Sequence, residues 1–275
     1  MEDVKTMFRQ ISVAVLITAA VAAQASTVYQ NNFDAGSSSL SDFTPYTLYG
    51  ATSIQASGGQ LVIGETGLAY GGVSLNTASL AGYSTILSAN VGTVTWAFNV
   101  ANMDGVYNNG INIVLACNTH NPYGLAYYQG FPSVGYALHG GGGVGNEMYF
   151  TEFYNSLTTY QMLIDIPDGL GTLPQTGAIR ITYEPGSDTW SFYMDAGSDP
   201  SDPTAASQLI GTAVDGTYTH EALPYFSFGG SYSGTDYFDN LSISVVPEPS
   251  PLSLVVIGLT TFYWQVHRFR RARKV

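Results

Sequence analysis

Hydrophobic and polar residues alternate with a period of two in several short stretches of the chain. Every second residue is apolar in 94–100, where the sequence reads Val-Thr-Trp-Ala-Phe-Asn-Val, and in 111–115. A further stretch, 60–63, follows two glycines and is predicted to end at Gly64. This alternation is typical of strands with one buried face, and many short strands separated by turns indicate a sandwich or barrel. The pattern therefore predicts an all-β, antiparallel fold.

The clearest predicted hairpin covers residues 178–195. Apolar residues alternate in both arms, and Glu184-Pro-Gly-Ser-Asp188 lies between them. Proline sets the φ angle that a turn needs and glycine accepts a positive one. We expect Trp190 in the core, because large aromatic side chains dominate the energetics of burial. The glycine-rich run 139–146 instead predicts a flexible surface loop.

The N-terminal segment has the layout of a secretory signal. Lys5 and Arg9 precede the apolar stretch 11–23, and Ala23-Gln24-Ala25 offers small residues at a cleavage site. We therefore predict a helical signal peptide at 1–25, removed by signal peptidase during export across the inner membrane.

The C-terminal segment has three parts in a fixed order. Pro247-Glu248-Pro249 comes first, and an apolar run at 252–264 follows. As a helix this run spans about 20 Å, which is short for a bilayer core of about 30 Å, although long basic side chains at its end can extend its reach. An ordinary membrane anchor explains the predicted transmembrane helix and the basic residues but not Pro-Glu-Pro. The basic residues are Arg268, Arg270, Arg271, Arg273 and Lys274.

This arrangement at 246–275 resembles the sorting signal of bacterial PEP-CTERM proteins. The resemblance implies recognition by an exosortase, a membrane-embedded processing enzyme, and removal of the tail near Pro-Glu-Pro. It also implies a Gram-negative bacterium that makes exopolysaccharide. We therefore expect a transient C-terminal membrane anchor, followed by release to the cell surface or extracellular matrix.

The segment between the two signals, 26–245, is long enough for one β-domain with a sizeable core. It carries seventeen Asp and Glu against the single Arg180, a formal net charge of −16. Nucleic acid is excluded as a partner, because its phosphates require Lys and Arg. Cys117 is the only cysteine, so no intramolecular disulfide forms, and we expect its side chain to be buried.

Residues 29–34 and 237–243 resemble the first and last strands of concanavalin A-like, laminin-G-like jelly rolls. The resemblance implies that these two strands pair side by side and that a structural Ca²⁺ binds where they meet. Asp34 and Asp239 are the candidate ligands, with Asn32 and Asn240 as weaker ones, since Ca²⁺ takes oxygen ligands. The alternative is that both aspartates bond only to turn backbone.

A secreted polysaccharide hydrolase or lyase of the jelly-roll type is the enzymatic alternative. Glycoside hydrolysis needs two carboxylates that flank the bond, and related retaining enzymes carry Glu-x-Asp-x-Glu on one strand face. No such run occurs. Glu147 and Glu152 are five residues apart and Asp165 and Asp168 are three apart, so neither pair shares a face. We therefore expect no catalytic activity.

Carbohydrate binding is the leading biochemical hypothesis, with extracellular polysaccharide as the partner. Sugar sites combine aromatic faces with amide and carboxylate groups, and the stretches 121–136 and 146–160 have this composition. The alternative is that these are ordinary strand tyrosines with one end in water. The candidate residues are Tyr123, Tyr127, Tyr128, Tyr149 and Tyr154.

Overall fold

The computed structural model describes residues 26–101, 109–123, 133–140, 148–157, 159–166, 176–196 and 202–247. In this part of the chain the strands are β1 Ser26–Asn31, β2 Phe43–Ser57, β3 Gln60–Asn76, β4 Gly92–Ala101, β5 Asn109–Cys117, β6 Gly135–Gly140, β7 Met148–Phe153, β8 Tyr160–Ile166, β9 Thr176–Glu184, β10 Thr189–Ala196, β11 Leu209–Val214 and β12 Tyr225–Pro247. Short 3₁₀ helices lie at Gly36–Leu40, Thr77–Ser79, Leu87–Ala89 and Pro203–Ala205.

The long strand β12 connects two layers of antiparallel strands. It pairs with β3 over 225–238 and with β5 over 225–232, and its register with β3 shifts between Tyr232 and Gly234. β1 and β4 also pair with β12. Because both edges of 225–232 are occupied, β1 and β4 pair with the remainder of the strand. The first and last strands are therefore neighbours, as expected from the sequence resemblance.

The first layer runs in the order β2, β3, β12, β5, β6, β7, β8, and the second continues from β12 through β4, β9, β10 and β11. The prediction of an all-β antiparallel sandwich is confirmed. No helix among the described residues is long and apolar enough to cross a membrane. The predicted signal helix at 1–25 and the predicted transmembrane helix of the tail lie outside the described residues.

The core between the layers is built on aromatic rings, with Trp190 at its centre. Ring centroids of Tyr136, Tyr183 and Phe150 lie 4.4, 4.7 and 5.0 Å from that of Trp190. The indole is fully buried, and the alternate apolar residues of 94–100 and 111–115 line the same core. These predictions are confirmed, as is the hairpin, which β9 and β10 form in register from Glu184 opposite Thr189.

Two predicted boundaries are wrong. The strand that begins at Gln60 continues through Gly64 to Asn76. Gly64 sits opposite Ser53 on one side and Thr235 on the other, and its carbonyl accepts a bond from the Ser53 hydroxyl at 3.2 Å, so pairing on both edges keeps it extended. The predicted loop at 139–146 is wrong for its first two residues, because His139 and Gly140 pair with β5 and β7, and 141–146 lie outside the described residues.

Candidate functional site

A row of paired residues crosses the outer face of the first layer, the face turned away from the core. Residues directly opposite one another on neighbouring strands point to the same side of a sheet. The row therefore presents one continuous line of side chains and glycines across seven strands. It consists of Tyr46, Gly72, Gly229, Asn112, His139, Tyr149 and Asp165, on β2, β3, β12, β5, β6, β7 and β8.

The first half of this row is covered. The Tyr46 hydroxyl lies directly over the two glycines, and a Cβ at Gly72 would come within 2.6 Å of it. The rings of Tyr46 and Tyr70 pack at 6.3 and 5.1 Å from that of Tyr123. Tyr123 ends the segment 118–123, which we call the cap. The covered half is therefore a closed wall of aromatic side chains.

Two hydrogen bonds join the cap to β3 and β12, and further bonds join it to Ser133, Val134 and Leu157. The Ser74 hydroxyl donates to the His120 carbonyl, and the Tyr123 hydroxyl donates to the Gly230 carbonyl at 3.3 Å. The cap is thereby fixed to β3 and β12, the two strands below it.

The second half of the row becomes progressively more exposed to solvent. Burial decreases along it, from Asn112, which is fully buried, through the half-buried His139 and Tyr149 to the exposed Asp165. Tyr160 of β8 joins them, with 38% of its surface exposed. We call these five residues the outer platform. It begins at the aromatic wall and ends at β8, the last strand in the order of this layer.

Aromatic rings make up the middle of the outer platform. The Tyr160 ring lies 5.3 Å from the His139 ring and 6.3 Å from the Tyr149 ring, with the two tyrosine planes inclined by only 24°. The register of β7 and β8 shifts between Phe150 and Thr151, and this shift puts Tyr160 on the same face of the sheet as His139 and Tyr149. The irregularity thus brings three rings into one surface.

His139 is neutral over the ordinary pH range. Burial lowers its pKa to about 4. Its Nδ1 lies 2.5 Å from the amide oxygen of Asn112, a geometry that assigns the ring proton to Nδ1 as the donor. The neutral ring then leaves Nε2 as a hydrogen-bond acceptor. The outer platform therefore offers an acceptor nitrogen and a carboxylate beside aromatic rings.

Positive charge lies elsewhere. Arg180 is the sole Lys or Arg in the described residues. Its Nε donates to the Ala206 carbonyl at 2.8 Å, and its guanidinium lies 3.8 Å above the Tyr193 ring, on the second layer. The five residues of the outer platform, all of which the structure describes, therefore include no cationic group that could bind an anionic ligand.

The predicted sugar-binding tyrosines do not form one group. Tyr149 lies on the outer platform, whereas Tyr123 is buried in the cap. Tyr154 is 43% exposed, follows the end of β7 and contributes to the raised pKa of Tyr218. Tyr127 and Tyr128 lie outside the described residues.

Asn112, His139 and Asp165 were missed as binding residues. The signal for Asn112 is present in the alternation of β5, because a polar residue between Ile111 and Ile113 must face outwards. The alignment of Asn112 with His139 and Tyr149 depends on the register of three strands, and one strand's pattern does not contain it.

The predicted calcium ligands make local hydrogen bonds. The Asn32 side-chain amide donates to the Asp34 carboxylate at 2.5 Å, and the backbone and side chain of Asn240 donate to that of Asp239 at 2.6 and 3.2 Å. Among the described residues no group of three or more His, Cys, Asp or Glu could hold a metal ion. Carboxylate and amide oxygens at paired terminal strands suit Ca²⁺ in kind, so this site stays a prediction.

Some of the remaining candidate residues lie in the described part of the chain and others do not. Cys117 is buried as expected, and burial raises the pKa of its thiol to about 12, so it stays protonated. Glu152 is buried and Asp165 exposed. Pro247 ends β12. The other predicted positions lie beyond the described part of the chain: Glu147, Asp168, Glu248, Pro249, Arg268, Arg270, Arg271, Arg273 and Lys274.

The chain matches no protein-family model and no curated protein. Among solved structures it is similar to the CBM2 module of an evolved Dit protein from Lactobacillus casei BL23 phage J-1, with 13% identity over 82% of this chain and 98% of that one, at a TM-score of 0.48. It is also similar to the lectin of Bauhinia forficata in complex with GalNAc, with 11% identity over 82% of this chain and 100% of that one, at a TM-score of 0.47. At these values the likeness says nothing about what this chain binds.

Proposed function

We propose that this chain is an exported, non-catalytic protein of the cell surface or extracellular matrix that binds a polysaccharide on its outer platform. The proposal rests on one observation: His139, Tyr149 and Tyr160 form a partly exposed aromatic surface between the Asn112 amide and the Asp165 carboxylate. Aromatic faces pack against the apolar faces of sugar rings, and the exposed Asp165 carboxylate accepts bonds from their hydroxyls, whereas the buried Asn112 amide positions the His139 ring. The two-layer architecture supports the expected concanavalin A-like jelly roll.

The charge of the chain favours a neutral polysaccharide. The predicted mature segment carries a formal net charge of −16, and Arg180 is engaged on the second layer. Uronate or sulfate groups would be repelled at long range and would meet Asp165 at the platform itself. We therefore expect chains of uncharged hexoses to bind more tightly than acidic polymers.

The experiment is a glycan-array screen of the purified protein, together with co-sedimentation with exopolysaccharide from the producing bacterium. Replacing the platform ring in Tyr160→Ala should weaken binding roughly tenfold, the usual cost of truncating an aromatic anchor. Tyr154→Ala is the matched control, because Tyr154 is similarly exposed but lies off the platform.

Absence of binding to both the array and the host polysaccharide would reject the function. Equal losses from the two tyrosine variants would reject the outer platform as its location.

Export and sorting are proposed on the sequence alone. The apolar N-terminal stretch supports cleavage by signal peptidase, and Pro247-Glu248-Pro249 with its apolar and basic followers supports processing by an exosortase. On this proposal the acidic β-domain is the part that remains outside the cell.

A further inference from the structure

Two carboxyl side chains are buried together where β3 and β12 bend from one layer towards the other. Glu65 of β3 is 6% exposed and Asp236 of β12 is 2% exposed. Both lie next to the register shift between Tyr232 and Gly234, with Glu65 opposite Gly234 and Asp236 opposite Ile63. Unlike Asp165, neither carboxyl is accessible to a polymeric ligand.

The two carboxyl groups converge on Gly230. A Cβ at this glycine would lie 2.5 Å from Asp236 Oδ2 and 3.1 Å from Glu65 Oε2. Since both oxygens are that close to one point, they are at most the sum of those distances apart, about 5.6 Å. Glu65 Oε1 accepts a bond from the Gly71 amide at 3.1 Å, whereas Asp236 Oδ1 is buried without a hydrogen-bond partner.

No cation compensates this pair in the described part of the chain. Arg180 is bound to Ala206 and Tyr193 on the second layer. The titratable groups close to the pair are phenols: Tyr46 on β2, Tyr70 on β3 and Tyr123 on the cap. Burial raises the pKa values of Tyr46 and Tyr123, so both stay neutral through alkaline pH and supply no charge of either sign.

Two buried carboxylates this close cannot both be ionised at modest cost, because desolvation and mutual repulsion act in the same direction. Burial, with the neighbouring Asp236, raises the pKa of Glu65 to about 8, and burial raises that of Asp236 to about 7. The two groups titrate as a pair, so these values describe the pair rather than either residue.

We propose that Glu65 and Asp236 form a proton-sharing carboxyl pair that closes the bend of β3 and β12, and that loss of this proton in alkali loosens the bend. The pair lies on the inner side of Gly230, and the Tyr123 hydroxyl holds the Gly230 carbonyl. Loosening of the bend therefore also weakens one of the hydrogen bonds that hold the cap over the outer face of the sheet.

The direction in which stability changes with pH follows from the number of protons that the folded and unfolded states bind. Between about pH 4.5 and 8 the folded state keeps protons on this pair that the unfolded chain releases. The contribution of the pair to stability is therefore largest below about pH 4.5, falls as pH rises towards 8, and levels off above that, where both states have released the protons. The domain should be most firmly closed in a mildly acidic medium.

The test is the melting temperature of the full-length protein between pH 5.5 and 9. The wild type should lose several degrees over this range, and Glu65→Gln with Asp236→Asn should remove most of the loss. Each amide keeps the size of the side chain, and the amide that replaces the Glu65 carboxyl still offers an oxygen to Gly71. The matched control is Glu221→Gln, an exposed acid, which should melt with the pH dependence of the wild type.

Two further measurements use the wild-type protein and therefore do not require that a variant folds. Carboxyl ¹³C resonances of the wild type should include two that titrate above pH 6, and the protection of the 118–123 amides against hydrogen exchange, relative to their intrinsic rates at each pH, should fall above pH 8. The proposal is overturned if every carboxyl titrates below pH 5 or if the double variant keeps the wild-type pH dependence. It is also overturned if Ca²⁺ stabilises only the wild type at pH 9, since the pair would then be a cation site.

Discussion

The Tyr136 hydroxyl donates a hydrogen bond of 2.6 Å to the Asp215 carboxylate, which joins β6 in one layer to the end of β11 in the other. The same hydroxyl oxygen accepts from the Tyr218 amide at 3.1 Å, and the Trp190 indole donates to the Asp215 carbonyl at 3.0 Å. Burial first, and then the bond to Asp215, raise the pKa of Tyr136 far above its ordinary value. The phenol is therefore a permanent donor that ties the 215–218 turn to the core.

Replacing Tyr136 with Phe should destabilise the protein by about 1–3 kcal/mol. The change leaves the Asp215 carboxylate and the Tyr218 amide without this partner in a partly buried site, and unmade bonds there cost the desolvation of both groups. Chemical denaturation measures the difference. Tyr154→Phe is the control and should change stability by less than roughly 0.5 kcal/mol, as surface substitutions do. Equal effects of the two variants would contradict the anchoring role.

Gly229→Ala should be destabilising by about 1–3 kcal/mol, the range for inserting a methyl into a packed site. The new Cβ would meet the Tyr46 hydroxyl and lie 3.0 Å from the Gly71 carbonyl. Adding Tyr46→Phe removes the hydroxyl and should restore part of the loss. In the control, Gly140→Ala, the nearest atoms are Met148 side-chain atoms at 3.6 Å, an ordinary contact. If Gly140→Ala is the more harmful change, the covered half of the row is not close-packed.

Binding of polysaccharide should be constant from pH 5.5 to 8 and should fall below about pH 4.5. His139 has a pKa of about 4, because its buried ring is costly to charge, and its protonation removes the Nε2 acceptor. Co-sedimentation across this range tests the expectation. Half-loss of binding near pH 6.5 would show that the ring titrates as an exposed histidine does.

If Asp34 and Asp239 hold Ca²⁺, then millimolar Ca²⁺ should raise the melting temperature relative to EDTA, because binding to the native state stabilises it. Asp34→Asn together with Asp239→Asn should abolish the shift. Asp42→Asn, at another exposed acid of the same loop region, should keep it. An identical melting temperature in Ca²⁺ and EDTA would reject the site and leave both aspartates as turn residues.

Mass spectrometry of the mature protein should show a chain that begins after Ala25 and lacks the residues beyond the Pro-Glu-Pro motif. Replacing Glu248 with Ala should leave the tail attached, because the motif is the proposed recognition element. A mature protein that retains Arg268 to Lys274 would support an ordinary membrane anchor instead.

The strands of the core were predictable because each carries its own signal. Trp190 and its hairpin follow from the alternation of apolar and polar residues and from the turn residues Pro185-Gly186. In β4 and β5 the same alternation identifies which residues are buried. These are local properties, and the structure keeps them.

The outer platform and the Glu65–Asp236 pair were not predictable in this way. Both depend on which strands are neighbours and in which register, and a shift such as that between Tyr232 and Gly234 changes every pairing beyond it. His139 was assigned to a loop because the glycines after it dominate the pattern, although pairing on both edges extends β6 to Gly140. Local sequence could therefore name Tyr149 but not the surface that it shares with His139 and Tyr160.

The strand that ends at Pro247 is also the one that binds both layers together. A pull applied at the C-terminal end acts along β12, and its hydrogen bonds to β1, β3, β4 and β5 run across that direction. Such bonds must shear together rather than open one at a time, and resistance to force is governed by the rate of this unfolding step. Tension at this end would consequently be shared by many hydrogen bonds at once.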